Sequence, residues 1–314
     1  AEAQPQFIQE YGGELPDPAV VTYVRGVGES LLVEARSIMA QHVGDDAPDF
    51  NWEFHVVDSA VINAFALPGG KVFMSRGLLV RLEDEAQLAG VLGHEIGHVT
   101  ARHIAQQVGR QQVLQGALVV AGAVVGVATD GTAAQLANLG LKGGQLAAGG
   151  YLLKFGRDQE TQADELGVQY MTRVGYNPVG QIRVMEILGE ASQGARPPEF
   201  LSTHPYPETR IANLNDLIRE QYPDYNQPGK YKVNREAFKT NVLDRLAKMG
   251  PPKHGAQQGD AGPNSAQPTP AAASTSPPPA IAAPPPDRAA PVRAAPSRPA
   301  FRWIPGVGMV PVTG

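Results

Sequence analysis

The segment Val91–His98, with the sequence VLGHEIGH, contains the spacing His-Glu-x-x-His. Residues four apart lie on one face of an α-helix, so His94 and His98 can bind one metal ion with Glu95 beside them. A catalytic zinc site needs a third protein ligand and an open fourth position that holds water. Glu95 would accept a proton from that water. The segment therefore predicts metal-assisted hydrolysis.

The same spacing also occurs by chance on helices that bind no metal, and the neighbouring sequence helps to distinguish the two cases. Asp84 is a favourable N-cap residue, and helix-forming residues follow it. No proline occurs between Asp84 and Gln112. We therefore expect one helix from Asp84 to about Gln112, with the motif inside it.

Two carboxylates further along the chain, Glu160 and Asp164, are four residues apart on a predicted helix at 158–174. One can bind the metal, and the other can accept a hydrogen bond from the free ring N–H of a ligand histidine. Asp164 would hold one of the two motif histidines in this way. An acidic, solvent-exposed helix face is the alternative, because other acidic residues surround the pair.

The elements that must position these residues are mainly helical. The sequence predicts an amphipathic helix from about residue 17 to residue 42. Three short segments with alternating or strand-like apolar residues predict a small, mainly antiparallel sheet beside the motif helix: 52–57, 62–67 and 71–75. Later helices are predicted at 178–191, 207–221 and 235–249. The fold class is α+β.

The chain has 314 residues, 42% of them hydrophobic, and more than half of its 28 prolines lie beyond Gly250. We expect one folded domain at 1–250 and a disordered Pro/Ala-rich tail at 251–314. The segment 301–312 is unexpectedly apolar for a tail, and it can dock on a partner or on the domain. An ordinary apolar terminus is the alternative.

Charge and cysteine content exclude several classes of function. The net charge is −5 with a pI near 5.8, and no run of lysine or arginine occurs, so nucleic acid is not expected as a partner. The absence of cysteine excludes disulfides and thiolate zinc sites. The chain begins Ala-Glu-Ala-Gln without Met, which favours export and processing.

An Ala-, Gly- and Val-rich stretch at 114–153 predicts an apolar helical hairpin. Its longest apolar run, 117–128, is too short for a transmembrane helix, which needs about 20 residues. Peripheral contact with a membrane through this run is the alternative to a packed hairpin.

Three motifs, taken in order, resemble the gluzincin metallopeptidase family that contains HtpX, the CAAX prenyl proteases and periplasmic BepA-like proteases: 94–103, 155–167 and 202–211. The resemblance implies a zincin-like fold with one Zn²⁺ per chain. It implies that His94, His98 and Glu160 bind the zinc and that Glu95 is the general base. It also implies that His204 and Arg210 lie at the cleft.

The segment 63–70 is similar to the family's segment beside the cleft. Strand addition there could bind an extended substrate through main-chain groups. The expected contacts are Asn63, Ala64, Phe65 and Ala66. An ordinary hairpin is the alternative.

The resemblance implies an endopeptidase of the periplasm or cell envelope whose polypeptide substrates are misfolded or unassembled envelope proteins. The chain departs from the family's multi-span members because it has no convincing transmembrane helix. No helical repeat domain follows Met249, so a chaperone role does not carry over. The alternative function is a zinc-bound protein-binding or assembly factor with latent peptidase activity.

His204 lies in a proline-bounded loop, Ser202–Pro207, which can bring a side chain into a cleft. If His204 reaches the open position of the zinc, it closes the site and makes the enzyme latent. If it stops short, it can stabilise the oxyanion of the tetrahedral intermediate, and Arg210 would anchor the loop or add charge. The sequence leaves both roles open.

The other histidines lack such a pattern. His103 follows His98 by five residues, about 140° around a continuous helix, so we expect it to be structural and not a ligand. His42, His55 and His254 have no recognisable partners and are expected to have no role in the site.

Overall fold

The computed structural model describes residues 4–43, 47–107, 109, 155–193, 198–205, 207–255, 300–304 and 308–312. The predicted hairpin at 114–153, with its apolar run 117–128, and most of the predicted tail lie outside these ranges. Within them, no helix combines the length and the apolar character that a membrane span requires.

Helices form most of the described structure, and the predicted α+β class is confirmed. We number them in chain order: α1 Gln4–Glu10, α2 Pro18–Val43, α3 Arg76–Leu79, α4 Glu85–Thr100, α5 Arg157–Arg173, α6 Val179–Ser192, α7 Phe200–Thr203, α8 Pro207–Gln221, α9 Arg235–Phe238 and α10 Asp244–Leu246. A π-helical turn, Lys239–Leu243, joins α9 to α10. Helices α2, α5, α6 and α8 agree with the predicted segments to within a few residues.

Strands β1 Glu53–Val57, β2 Ala64–Leu67 and β3 Lys71–Ser75 form one sheet in the order β1-β3-β2. The prediction of a mainly antiparallel sheet was wrong, because β1 pairs with β3 in parallel and only β2 pairs with β3 in antiparallel fashion. The turn after Leu67 makes β2 and β3 a hairpin. β1, which comes first in the chain, pairs with the other side of β3. β2 is therefore an edge strand, and it packs against α4.

The side chains of the sheet alternate between two apolar layers, as the period of a strand requires. One face, which includes Ala64 and Ala66, joins the main core with α2 and α4. The other face carries Phe65, which stacks on Phe73 and packs against Tyr11. Helix α4 therefore has the sheet on one side and α5 on another, and it is buried along its whole length.

Helix α4 begins where the sequence predicts and ends earlier. The Asp84 side chain accepts a hydrogen bond from the Gln87 backbone N–H and caps the helix. The expected continuation to about Gln112 was wrong, because α4 ends at Thr100 and Arg102 has a left-handed φ of 56°. A second helical segment starts at His103, in a new direction.

Residues Lys253 and His254 contact the segment that follows β1. The backbone N–H groups of Lys253 and His254 donate to the Asp58 carbonyl, and the His254 ring pairs with Ser59 Oγ at 2.9 Å. His254 therefore has partners that the sequence did not indicate. Residues Ala300–Ile304 and Gly308–Val312 form an antiparallel pair, β4 and β5. The boundary and the disorder of the tail stay predictions.

We predict that the cap of α4 is sensitive to pH. Burial raises the pKa of Asp84 from 3.8 to about 6. A raised carboxyl pKa stabilises the fold below the unfolded value, and this stabilisation is lost as the pH rises from about 4 through about 6. Asp84→Asn keeps the cap without the charge. Its Tm should equal that of the wild type near pH 4 and exceed it above about pH 7.

Asp84→Ala is the control for the cap itself, and it should be less stable than Asp84→Asn by about 1 kcal/mol. Thermal unfolding between about pH 4 and pH 8 measures all three proteins. Parallel Tm curves for the wild type and Asp84→Asn would contradict the prediction.

Candidate metal centre

Helices α4 and α5 cross so closely that the contact leaves little or no room for a side chain at Gly93 and Gly97 of α4. A Cβ atom on Gly97 would lie 2.9 Å from the Ala163 carbonyl oxygen, and one on Gly93 would lie 3.1 Å from the Gly167 carbonyl oxygen. Gly93 and Gly97 follow Gly90 by three and seven residues, so the three glycines lie on one face of α4. The close contact brings Glu160 of α5 against the histidines of α4.

Four buried side chains converge at this crossing: His94, His98, Glu160 and His204. The His94 Nε2 atom lies 3.0 Å from His98 Nε2 and 3.2 Å from His204 Nδ1. The Glu160 Oε1 atom lies 3.1 Å from His204 Nδ1 and 3.4 Å from His98 Nε2. A tetrahedral ion with bonds of about 2.0–2.1 Å separates its ligand atoms by about 3.3 Å. These four distances are close to the edge length of a tetrahedral zinc site.

The outer ring nitrogens of the two motif histidines make hydrogen bonds. His94 Nδ1 lies 2.9 Å from Asp164 Oδ1, and His98 Nδ1 lies 2.9 Å from His103 Nδ1. A neutral imidazole that donates through Nδ1 has a lone pair at Nε2. If both rings donate through Nδ1, their Nε2 lone pairs face each other at 3.0 Å, and a cation between them would relieve the repulsion. This arrangement is the strongest local indication of a metal site.

The charges of the centre also call for a cation. Glu95, Glu160 and Asp164 are buried carboxylates, and Arg210 is the buried cation among them. Arg210 Nη1 lies 2.6 Å from Glu160 Oε2, while Nε and Nη2 donate to the two oxygens of Asp164. With the three carboxylates ionised and the histidines neutral, the form in which histidine binds a metal, the centre has a formal charge of −2. Burying that charge without compensation is unfavourable, and one divalent ion would neutralise it.

The protonation states favour metal binding. Burial lowers the pKa of His98 well below its usual value, so the ring is neutral at pH 7. Burial also opposes ionisation of Glu160, but the charges of His204 and Arg210 outweigh it, and its pKa falls well below the usual range. A neutral imidazole and an ionised carboxylate are the forms that bind zinc.

Glu95 has the environment of a base. Its Oε1 atom is buried, makes no hydrogen bond within the described part of the chain, and lies 3.6 Å from His204 Nε2. Burial raises the pKa of the Glu95 carboxyl above its ordinary value. A carboxylate with an unused oxygen at the edge of a donor set can hold a water and accept its proton.

His204 is held in the donor set by its own short helix. It follows α7 directly, and its ring stacks on Phe200 with the centroids 4.2 Å apart. Glu199, which precedes α7, accepts hydrogen bonds from the Tyr11 hydroxyl and from Asn63 Nδ2. The Phe200 N–H also donates to the Ile62 carbonyl. Helix α7 is thus tied to α1 and to the start of β2.

The structure brings together most of the predicted site residues. Asp164 is a hydrogen-bond partner of His94, and Arg210 forms ion pairs with both Asp164 and Glu160. Of the predicted substrate-binding residues, Ala64, Phe65 and Ala66 lie on β2, and Asn63 directly precedes it. The Asn63 side chain bonds to Glu199, and the Phe65 ring faces away from α4. Strand addition there would use main-chain groups, and it stays a prediction.

Three residues of the centre were missed or misjudged from sequence. His103 bonds to His98 because the break at Arg102 redirects the chain, whereas a continuous helix would turn His103 away. Gln162 accepts from His103 at 2.9 Å, and Gln181 donates to Asp164 Oδ1 at 2.8 Å. A histidine five residues after a ligand was the available signal. No sequence signal indicated Gln162 or Gln181.

Comparison with known proteins agrees with this geometry. The model of peptidase family M48 matches residues 33–218. The beta-barrel assembly-enhancing protease of Escherichia coli (strain K12) is 29% identical over 258 residues, which cover 77% of this chain and 51% of that protein. Mitochondrial metalloendopeptidase OMA1 of Schizosaccharomyces pombe is 33% identical over 173 residues, 55% of this chain and 48% of that protein. The chain spans about half the length of these relatives.

We predict that Gly97→Ala weakens the metal centre through packing alone. The new methyl group would meet the Ala163 carbonyl oxygen, so α5 must move and take Glu160 with it. We expect a loss of about 1–3 kcal/mol of stability and a weaker apparent zinc affinity. Thermal unfolding and chelator competition measure the two effects.

The matched control is Gly189→Ala, on α6, where a Cβ atom meets nothing within 4 Å. It should leave zinc affinity unchanged and raise stability by up to about 1 kcal/mol, because alanine favours helix. Equal effects of the two substitutions on zinc affinity would show that the α4–α5 contact does not position the ligands.

Proposed function

Because the chain belongs to peptidase family M48, we propose that it is a zinc-dependent endopeptidase that hydrolyses peptide bonds with an activated water. The observation that carries the proposal is the convergence of buried donors from His94, His98 and Glu160 beside Glu95. Relatives named as a protease and as a metalloendopeptidase support the same reaction. One zinc ion per chain fits the donor types and the charge.

When bound, zinc acidifies a water and polarises the scissile carbonyl group. Glu95 accepts the proton of the attacking water and returns it to the departing amine nitrogen, so one carboxylate serves as base and then as acid. Asp164 and Arg210 fix the orientations of His94 and Glu160 through their hydrogen bonds and ion pairs. The raised pKa of Glu95 suits this proton transfer.

The substrates we propose are misfolded or unassembled polypeptides of the cell envelope, with the periplasm as the compartment. The name of the Escherichia coli relative, which refers to assembly of beta-barrels, supports an envelope role. An extended segment of substrate would lie along β2, the edge strand beside α4. Main-chain hydrogen bonds would then bind sequences of many kinds.

The second candidate is a zinc-bound protein-binding or assembly factor whose peptidase activity is latent. The position of His204 Nδ1 among the other donors favours it, because a fourth protein ligand leaves no position for water. A strain that lacks the gene separates the two functions. Complementation by Glu95→Gln would favour binding, and its loss would favour proteolysis.

We predict that Glu95→Gln binds nearly one zinc per chain and loses hydrolysis by about 10²–10⁴-fold, because the base is removed and every ligand is kept. Zinc content and cleavage of an unfolded protein substrate are the measurements. Glu190→Gln, an exposed position on α6, is the control and should behave as the wild type. Zinc-free Glu95→Gln protein, or full activity, would show that Glu95 is not the base.

We predict that His204→Ala raises basal hydrolysis at least several-fold, because it opens the fourth position of the zinc. Ser202→Ala, an exposed residue of α7, is the control. A fall of about 100-fold with unchanged zinc content would instead assign His204 to oxyanion stabilisation. Unchanged kinetics on a short peptide and on an unfolded protein would exclude both roles.

A further inference from the structure

We propose that Gln162 and His103 are positioning residues that set the direction of a hydrogen-bond relay and thereby keep the metal-facing nitrogen of His98 unprotonated. The inference rests on the proposed zinc site and assigns a role to residues outside it. Gln162 Oε1 lies 2.9 Å from His103 Nε2, and His103 Nδ1 lies 2.9 Å from His98 Nδ1. All three side chains are buried.

A relay through two neutral imidazoles can run in either of two directions, since each ring has one N–H and one lone pair. In the first, His98 donates from Nδ1 to His103, and His103 donates from Nε2 to the Gln162 oxygen. His98 Nε2 is then a lone pair aimed at the metal. In the second, the Gln162 amide donates to His103, and His103 donates to His98. His98 Nε2 then carries a proton where the metal must bind.

The oxygen of Gln162 faces His103 in the structure, which corresponds to the first direction. This choice has no counterpart at the other motif histidine. Asp164 is a carboxylate that only accepts, so His94 must donate to it. His98 has a neutral partner, and its tautomer is therefore decided one step further out, at the amide of Gln162.

The backbone places both relay residues for this purpose. The left-handed conformation of Arg102 turns the chain after α4, so that His103 faces His98. Gln162 lies two residues after Glu160 on α5, the helix that also supplies the third ligand. The contact between α4 and α5 that brings the donors together therefore also brings Gln162 into contact with His103.

Three variants of the full-length protein test the relay by apparent zinc dissociation constant, measured by chelator competition. Gln162→Met keeps the length of the side chain but offers His103 no strong acceptor, and affinity should fall about 10 to 100-fold, as for other hydrogen-bond partners of ligands. Gln162→Glu can only accept when ionised, so its affinity should equal or exceed that of the wild type. Equal losses in these two variants would overturn the proposal.

Gln159→Met is the matched control, because Gln159 lies on the same helix and bonds to Gln106, Gln107 and the Gly156 N–H instead of His103. It should change affinity less than twofold. A loss as large as that of Gln162→Met would overturn the relay. His98→Ala must lose the zinc. If it does not, the proposed metal site fails, whereas an unchanged Gln162→Met beside a zinc-free His98→Ala rejects the relay alone.

The tautomer itself can be read by ¹⁵N-detected NMR of the zinc-loaded wild type. The relay requires the proton of His103 on Nε2 and that of His98 on Nδ1. A His103 proton on Nδ1 would overturn the proposal, and a purely structural role for Gln162 would not fix either position.

Discussion

The close contact between α4 and α5 is the constraint on which the rest of the structure depends. Glycines on α4 allow the backbones of the two helices to pack against each other without an intervening side chain. A methyl group at Gly97 would lie 2.9 Å from a carbonyl oxygen of α5. At that separation, Glu160 reaches the nitrogens of His94 and His98. The geometry of the candidate metal centre is therefore a consequence of backbone packing, since three of its four donors lie on these two helices.

Burial removes the charged groups of the centre from water, which is unfavourable unless their charges are compensated. A cluster with three carboxylates and one guanidinium is stable in the interior only if its charge is compensated and its hydrogen bonds are satisfied. Arg210 compensates one of the three negative charges through its ion pairs with Glu160 and Asp164, and a divalent ion would compensate the other two. Glu95 keeps an oxygen that no described group binds. This buried carboxylate oxygen, which has no hydrogen bond within the described residues, lowers stability, and the proposed reaction uses the same carboxylate as its base.

The sequence predicted the parts of the site that depend on local spacing. His94, Glu95 and His98 follow from helical period, and Glu160 and Asp164 follow from the same period together with the family resemblance. The relay through His103 could not be found, because it depends on a left-handed residue, Arg102, that gives no sequence signal. The parallel pairing of β1 with β3 was missed for a similar reason. Strand order depends on contacts with distant segments, such as α2 for β1 and α4 for β2, which the strands' own residues do not reveal.

We infer that in the resting protein one zinc is held by four protein donors, and that His204 must leave the fourth position before a water can bind there. Zinc K-edge X-ray absorption of the zinc-loaded protein tests this claim most directly, because it counts the imidazoles around the metal. We expect three imidazole nitrogens and one carboxylate oxygen at about 2.0–2.1 Å. Two imidazoles with two oxygen ligands would contradict the claim, since a water would then stand where the account places His204.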